Sequence, residues 1–459
     1  MTTAEDHYLF RHAVVRDAAY SLQPPSERGQ LHAAVLDIQL AQHNDAPPAA
    51  IAAELSEHAG AAIACGLDTE RMRELRVKFL KKAMEAAGDG FRLAETITLA
   101  LELAGLEWAG PEVKLAGLLA AAEYCDRSGQ RERAETYLTE SIGLLEEHPS
   151  PLLSFKAHML FAAVRIHQGL FPEAEALLTK LVAMDPDEVG EGRYVVGLGN
   201  LAIVHHEIGE NEKAAREYRE VIQRFERLKD AGNQGRNLGN LGALLRDRGD
   251  YEEAETCYTR GLQLVRQEKD KYTECNILGN FAEYLVVRGR YREARSLIAE
   301  AEALQSSLGD IETAGQIHSH LARALAGEGD LVNAIEIGRE AVKDLNKAEN
   351  PLLAGIARYH FACILFDSGD IEAADAESAE AEAVLQSIGA REMSTCHLAP
   401  LRVRIAVSKG IRAEDLPSLR ERVDEAKAEM ARLRLGANST AAVAITQAER
   451  ALETYNARR

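Results

Sequence analysis

Seven glycines, Gly129, Gly169, Gly209, Gly249, Gly289, Gly329 and Gly369, stand 40 residues apart without slippage. Five residues after each comes an alanine: Ala134, Ala174, Ala214, Ala254, Ala294, Ala334 and Ala374. A period of this length, held over most of a chain, marks a stack of equal units that share one continuous core. The clearest copy is RNLGNLGALLRDRGDYEEA, from Arg236 to Ala254. Leu241 and Gly242, with equivalents Phe161/Ala162, Leu201/Ala202, Phe281/Ala282, Leu321/Ala322 and Phe361/Ala362, set a large apolar side chain beside a small one. The small residue lets a second helix approach, and the large one fills the space beside it. Gly249, lacking a Cβ, suits the left-handed residue that follows a helix end. Tyr251 and Ala254 then open a second helix, whose own column (Ser141, Leu181, Val221, Gly261, Ala301, Ala341, Ala381) is mostly small enough to admit the next unit. Each unit is therefore predicted to be a helix, a tight turn and an antiparallel helix, and the chain to be all-α.

Leu238, Leu241, Gly242, Gly249, Tyr251, Ala254 and Tyr258 resemble the tetratricopeptide-repeat pattern. The usual period of that family is about 34. A 40-residue period with an NLGNLG-like first helix is more similar to the long-helix repeats of the Pins/LGN and kinesin light chain families. HEAT repeats have a similar length but lack the glycine-aromatic-alanine turn. The resemblance covers roughly residues 112 to 408. It implies a right-handed superhelical solenoid that binds a protein or peptide segment in its concave groove.

The ends of the chain depart from the period. YLFRHAVVRDAAYSLQPPSERGQLHAAVLDIQLAQ reads as two amphipathic helices broken at Pro24 and Pro25. Its Phe10, His12, Tyr20, Arg28, Leu31 and His32 resemble the helical connector between the ATPase module and the repeat array of bacterial STAND-type signalling ATPases. The phosphate-cradling GxxxxGK[ST] loop of those ATPases does not occur in this sequence. The resemblance implies a bacterial signalling protein with an ATPase or kinase module upstream; a plain helical cap is the alternative. Ile51 to Ala64 is a further helical stretch, and a helix from Glu70 leads to Gly90, Phe91 and Ala94 in register with the repeat turn. Lys81 and Lys82 stand where the large-small pair belongs, so this is a degenerate first repeat. At the other end Pro400 and Arg402 break the pattern, and proline in a helix interior kinks it at a cost of roughly 3 kcal/mol. Leu416 to Leu435 and Ser439 to Tyr455 read as amphipathic helices that cap the last repeat. The expected organisation is a cap or connector over residues 1–70, a degenerate repeat over 71–110, seven repeats over 111–390, and a degenerate repeat with capping helices over 391–459.

A net charge of −20 without a Lys/Arg run disfavours nucleic acid and anionic membrane as partners. Six dispersed cysteines without a CxxC pair read as reduced core residues of a cytoplasmic protein. No apolar run reaches the 18 or so residues of a membrane span.

In the family that this chain resembles, the first helix of each repeat lines the concave face. One of its polar columns reads Asn200, Asn240, Asn280, His320, His360. An amide both donates and accepts, so such a ladder suits the backbone of an extended peptide, or else the backbone of the neighbouring repeat. Lys156, Arg236, Arg246 and Arg323 stand on these faces against Glu207, Asp247, Glu283 and Asp367, a near-neutral balance that protonated histidines would tip positive. The candidate partner-binding residues are thus Asn200, Asn240, Asn280, Arg236, Arg246, His206, His320, Arg323 and His360. A carboxylate clamp is not expected, since Ile203, Ala243, Glu283 and Arg323 occupy the place of its asparagine. His205 and His206 are adjacent and His318 and His320 two apart, spacings that point to different sides of a helix and not to one metal. No hydrolase, kinase or dinucleotide signature occurs, so no enzyme activity, cofactor or metal is expected.

Overall fold

The computed structural model describes residues 20–308 and 310–457. Phe10 and His12 of the connector motif lie outside them. The described residues are helical, without a strand. None of their helices is long and apolar enough to cross a membrane. The chain forms two compact units, divided between Tyr124 and Cys125.

The first unit contains α1 (Pro25–Gln42), α2 (Ala52–Ala64), α3 (Glu70–Asp89) and α4 (Leu93–Ala104), followed by α5 (Pro111–Arg127). Leu36, Leu55, Ala59 and Phe79 close a core between α1, α2 and α3. Lys82, in the place of a packing residue, instead donates to the Pro47 carbonyl. Gly90 falls short of the turn expected from its register. Its φ is −82°, and Phe91 takes the left-handed conformation instead, at φ 54°.

In the second unit the helices come in pairs: α6 (Arg131–Glu147); α7 (Pro151–His167) with α8 (Phe171–Leu181); a short α9 (Pro186–Val189); α10 (Glu191–Glu207) with α11 (Asn211–Leu228); α12 (Ala231–Arg248) with α13 (Tyr251–Glu268); α14 (Lys271–Val287) with α15 (Tyr291–Leu308); α16 (Ile311–Gly327) with α17 (Leu331–Lys347); and α18 (Pro351–Ser368) with α19 (Ile371–Ser387). All seven turn glycines have positive φ, from 70° to 89°. Each closes the same double bond: the Gly249 amide reaches the Arg246 carbonyl at 3.0 Å, and the Asp250 amide the Leu245 carbonyl at 2.8 Å. A second 40-residue column starts the first helices. Ser150, Asp230, Asp270 and Asn350 accept the backbone N–H three residues on, and Asp310 the one two residues on. Such caps contribute about 0.5–2 kcal/mol each.

The alanines five residues past each turn are all 0% exposed, and Ala162, Ala202, Ala282 and Ala362 are equally closed. A Cβ at Gly242 would lie 2.9 Å from the Tyr258 ring, which stacks on Phe281 of the next unit at 5.2 Å between centroids. This is the large-small packing that the sequence encodes.

After α19 the pattern changes. Glu392–Leu398 form a π-helical turn that runs directly into α20 (Ala399–Lys409), and α21 (Leu416–Arg432) and α22 (Thr440–Ala457) follow. The irregularity expected at Pro400 takes the form of this turn. Proline clashes with the carbonyl four residues back, and a wider turn relieves the crowding without a break. Val403, Val423, Ala426 and Ile445 then join α20, α21 and α22 in one core.

The solenoid of the second unit coils far enough that its later part meets its earlier turns. A Cβ at Gly129 would lie 3.2 Å from Ala348 Cα, and one at Gly169 3.1 Å from Ile388 Cβ. The segment between α21 and α22 straps across the Gly249 turn: the Gly436 amide donates to the Arg248 carbonyl at 2.9 Å, and Tyr251 Oη to the Asn438 carbonyl at 2.6 Å. At the Gly129 turn, Arg131 pairs with Glu312, and its amide reaches Glu349 at 3.2 Å.

Beside Arg131, Asp126 accepts from His167 Nδ1 at 3.0 Å. Burial works against a charged His167, but the Asp126 carboxylate outweighs it and raises the imidazole from 6.5 to about 9. Since the folded value lies above the unfolded one, this stabilisation is complete below about pH 6.5 and is lost as pH rises through about 9. The His167 side chain is 37% exposed, so screening holds the contribution to about 1 kcal/mol. Urea midpoints measured from pH 6.5 to 9.5 should fall by that amount in the native chain and stay flat in His167→Gln. A parallel decline in the variant would assign the pH effect elsewhere.

Candidate functional site

The first helices of successive pairs face one another around a chamber of about 940 Å³. Its wall is built from α10, α12, α14, α16 and α18, and the π-turn, α20 and the start of α22 complete it. Asn240, Asn280, His320 and His360, from one sequence column, line it together, as do His206, Arg246 and Arg323. Asn200 and Arg236 are not part of the lining. Arg236 is half exposed and reaches Thr273 Oγ1 at 3.4 Å and Asp270 at 3.8 Å, towards the start of the next first helix. Its expected place beside Asn240 fails because four residues along a helix is a rise of about 6 Å.

Three repeats are stapled inside the chamber. Glu283 accepts from Arg246 on one oxygen and from Arg323 on the other, the latter at 2.8 Å. Arg246 also donates to Asp247 at 2.8 Å, and His206 Nε2 stands 3.5 Å from the second Asp247 oxygen. Burial opposes charge on Glu283, yet Arg246 and Arg323 hold it well below the usual carboxylate range. Asp247 is likewise lowered, against burial, by Arg246 and His206. Burial opposes charge on His206 too, and the Asp247 contact raises it.

The remaining histidines do not make the chamber positive. Burial pushes His320 and His397 down to about 4, with Arg323 and Arg246 adding to it, and moves His360 well below its ordinary value. They are neutral at pH 7, and His360 Nδ1 meets Ser319 Oγ at 3.3 Å. Among the described residues nothing hydrogen-bonds to the side chains of Asn240 or Asn280, which leaves both amides open to the chamber.

Sequence reasoning missed Glu392 and His397, which enter from the π-turn, and Asn438 and Gln447, which enter from the C-terminal strap and α22. A turn closed by i→i+5 bonds sets residues five apart nearly above one another, so Glu392 and His397 share the chamber side. The signal available was the failure of the repeat at Pro400.

The family model described as tetratricopeptide repeat matches residues 234–307, which hold most of α12, all of α13 and α14, and most of α15. The helix pairs of residues 234–307 are tetratricopeptide repeats. Solved structures share the helical fold. A Rap protein complexed with Competence and Sporulation Factor has a TM-score of 0.52 at 16% identity, over 83% of this chain and 99% of its own. The Rap conjugation gene regulator of the plasmid pLS20, in complex with the Phr* peptide, has a TM-score of 0.51 at 14% identity, over 70% and 98%. A STAND protein with a tetratricopeptide repeat sensor from Pyrococcus horikoshii covers 94% of this chain and 67% of its own at 15% identity, but a TM-score of 0.45 gives that likeness no weight. No curated protein matches the sequence.

Proposed function

We propose that the second unit is a peptide-recognition module that encloses an extended segment of a partner in its tetratricopeptide chamber, as the recognition arm of a bacterial signalling system. The observation that carries this is the chamber itself. Its volume lies at the upper end of the roughly 300–1,000 Å³ of ligand pockets, enough for a short peptide and too little for a folded domain. Asn240 and Asn280 offer both donors and acceptors on adjacent repeats, the complement that a peptide backbone needs whatever its side chains. The arginines, by contrast, are occupied by Asp247 and Glu283, which points to binding and not to turnover as the activity. The peptide bound to the similar plasmid regulator supports the same reading.

A second reading makes the array the sensor of an ATPase or kinase on the same or another chain. Contacts among three of the connector residues support it: Tyr20 Oη meets His32 Nε2 at 2.8 Å, and the Arg28 guanidinium lies over the Tyr20 ring at 5.0 Å. The two readings share one ligand chamber, and a pull-down that recovers an ATPase or kinase selects the second.

The immobilised chain should retain members of a degenerate hexapeptide pool and release them uncleaved. Asn240→Ala with Asn280→Ala should weaken the retained peptides by about 1–3 kcal/mol, or roughly five- to 150-fold, as measured by calorimetry. The urea midpoint should barely move, because neither amide has a partner to lose. Unchanged affinity with a large loss of stability would make the column structural; cleaved peptides would make the chain an enzyme.

A further inference from the structure

Most ionised groups of the chamber neutralise one another. Arg246 serves Asp247 and Glu283, Arg323 serves Glu283, and Arg404 stands 3.6 Å from Asp367 with its guanidinium over the Phe366 ring. Arg288 also lines the chamber and lies over the Tyr251 ring at 4.6 Å. The acidic exceptions are Glu207 on α10 and Glu392 on the π-turn. Both line the chamber, and neither makes a hydrogen bond or ion pair with a described residue. The cations that act on both, His206 and Arg246, are already engaged, His206 by Asp247 at 3.5 Å and Arg246 by Asp247 at 2.8 Å and by Glu283. Burial, with Asp247 close by, pushes Glu392 up to about 7 and raises Glu207 as well. Two half-buried carboxylates that share their nearest cations with Asp247 and Glu283 leave their own neutralisation unfinished.

A second, independent feature leaves buried polar groups for a ligand to satisfy. His320 and His397 line the chamber at 7% exposure each. His320 Nδ1 has no hydrogen-bond partner, and nothing among the described residues bonds to the His397 ring. A neutral imidazole offers one donor and one acceptor nitrogen, so each ring can accept from a head group that the carboxylates attract. An anion beside Glu207 and Glu392 would meet unpaired negative charge. A group with several N–H donors and a positive charge would satisfy it, and a guanidinium carries five such donors.

We propose that Glu207 and Glu392 receive one cationic group, a guanidinium or an ammonium, carried by the peptide in the chamber. The proposal takes its ligand from the peptide-binding reading, but the subsite is testable without a peptide. N-acetyl-arginine N-methylamide and its neutral isostere N-acetyl-citrulline N-methylamide differ only in the charged head group. Titrated against the full chain by calorimetry and ligand-observed NMR, the arginine fragment should bind at least about tenfold more tightly. Glu207→Gln with Glu392→Gln should erase that difference while leaving the citrulline fragment unchanged. The variant should stay folded, since it removes two uncompensated charges, and a circular-dichroism melt checks this. Equal binding of the two fragments by the native chain, or a preference that survives in the variant, overturns the proposal. Retention of the hexapeptide pool without preference for Arg or Lys leaves the peptide reading standing and removes this one. Arginine preference without retention of any peptide keeps the cation subsite and removes the peptide reading.

Discussion

Gly249→Asn is expected to destabilise the second unit by about 2–6 kcal/mol, and the same substitution at Gly369 by about 1 kcal/mol or less. The two glycines occupy the same column with nearly the same backbone, φ 86° and 88°. Asparagine tolerates the left-handed region better than other residues with a Cβ, so conformational strain is small and common to both. Their surroundings differ. A Cβ at Gly369 meets nothing within 4 Å, whereas one at Gly249 would lie 3.0 Å from the Ser439 amide nitrogen and 3.2 Å from the Asn438 carbonyl carbon. Those are backbone atoms and cannot rotate away, so the strap must lift, at the roughly 1–3 kcal/mol typical of overpacking. Lifting it also breaks the Gly436–Arg248 and Tyr251–Asn438 bonds, at about 0.5–1.5 kcal/mol each. Urea denaturation gives the two energies. Limited proteolysis between Leu433 and Ser439 should cut Gly249→Asn and spare Gly369→Asn. Equal losses at the two sites would mean that the strap contributes nothing to closure.

That difference between equivalent glycines shows what a repeat pattern can and cannot reveal. The helix-turn-helix unit was legible because each small residue records a contact with its immediate neighbour: Ala254 admits its partner helix, and Gly242 admits Tyr258. Coiling is another matter. The small rotation between successive repeats accumulates until Gly129 meets Ala348, and no column of residues encodes that sum. Hence an open groove was expected, and the structure has a chamber closed by the C-terminal segment. Placement of Asn240, Asn280, His320 and His360 on a common wall was within reach, because a shared column means a shared face. Their charge was not, since burial and neighbouring arginines keep the histidines neutral. Glu392 and His397 escaped notice because the register ends at Pro400, and the irregularity expected there takes the form of a π-turn.

Arg246 tests the distinction between a ligand group and a structural one most sharply. Its position on the concave face and its charge make it a candidate partner contact in the sequence. In the structure it is the middle of a staple, bound to Asp247 on its own helix and to Glu283 on the next, with Arg323 completing the Glu283 pair from the helix after that. Arg246→Ala is expected to cost about 3–5 kcal/mol, the range for removing one partner of a buried ion pair, because Asp247 and one Glu283 oxygen lose their donor in a desolvated site. Asn240→Ala removes no such partner and should leave the urea midpoint almost unchanged. Peptide affinity, measured well below the unfolding transition, should move in the opposite order: strongly for Asn240→Ala with Asn280→Ala, and within about threefold for Arg246→Ala. If Arg246→Ala abolishes peptide binding while stability stays within about 1 kcal/mol of native, then Glu283 is satisfied by Arg323 alone. The guanidinium of Arg246 would then be free for a ligand carboxylate, and the chamber would select for the opposite charge.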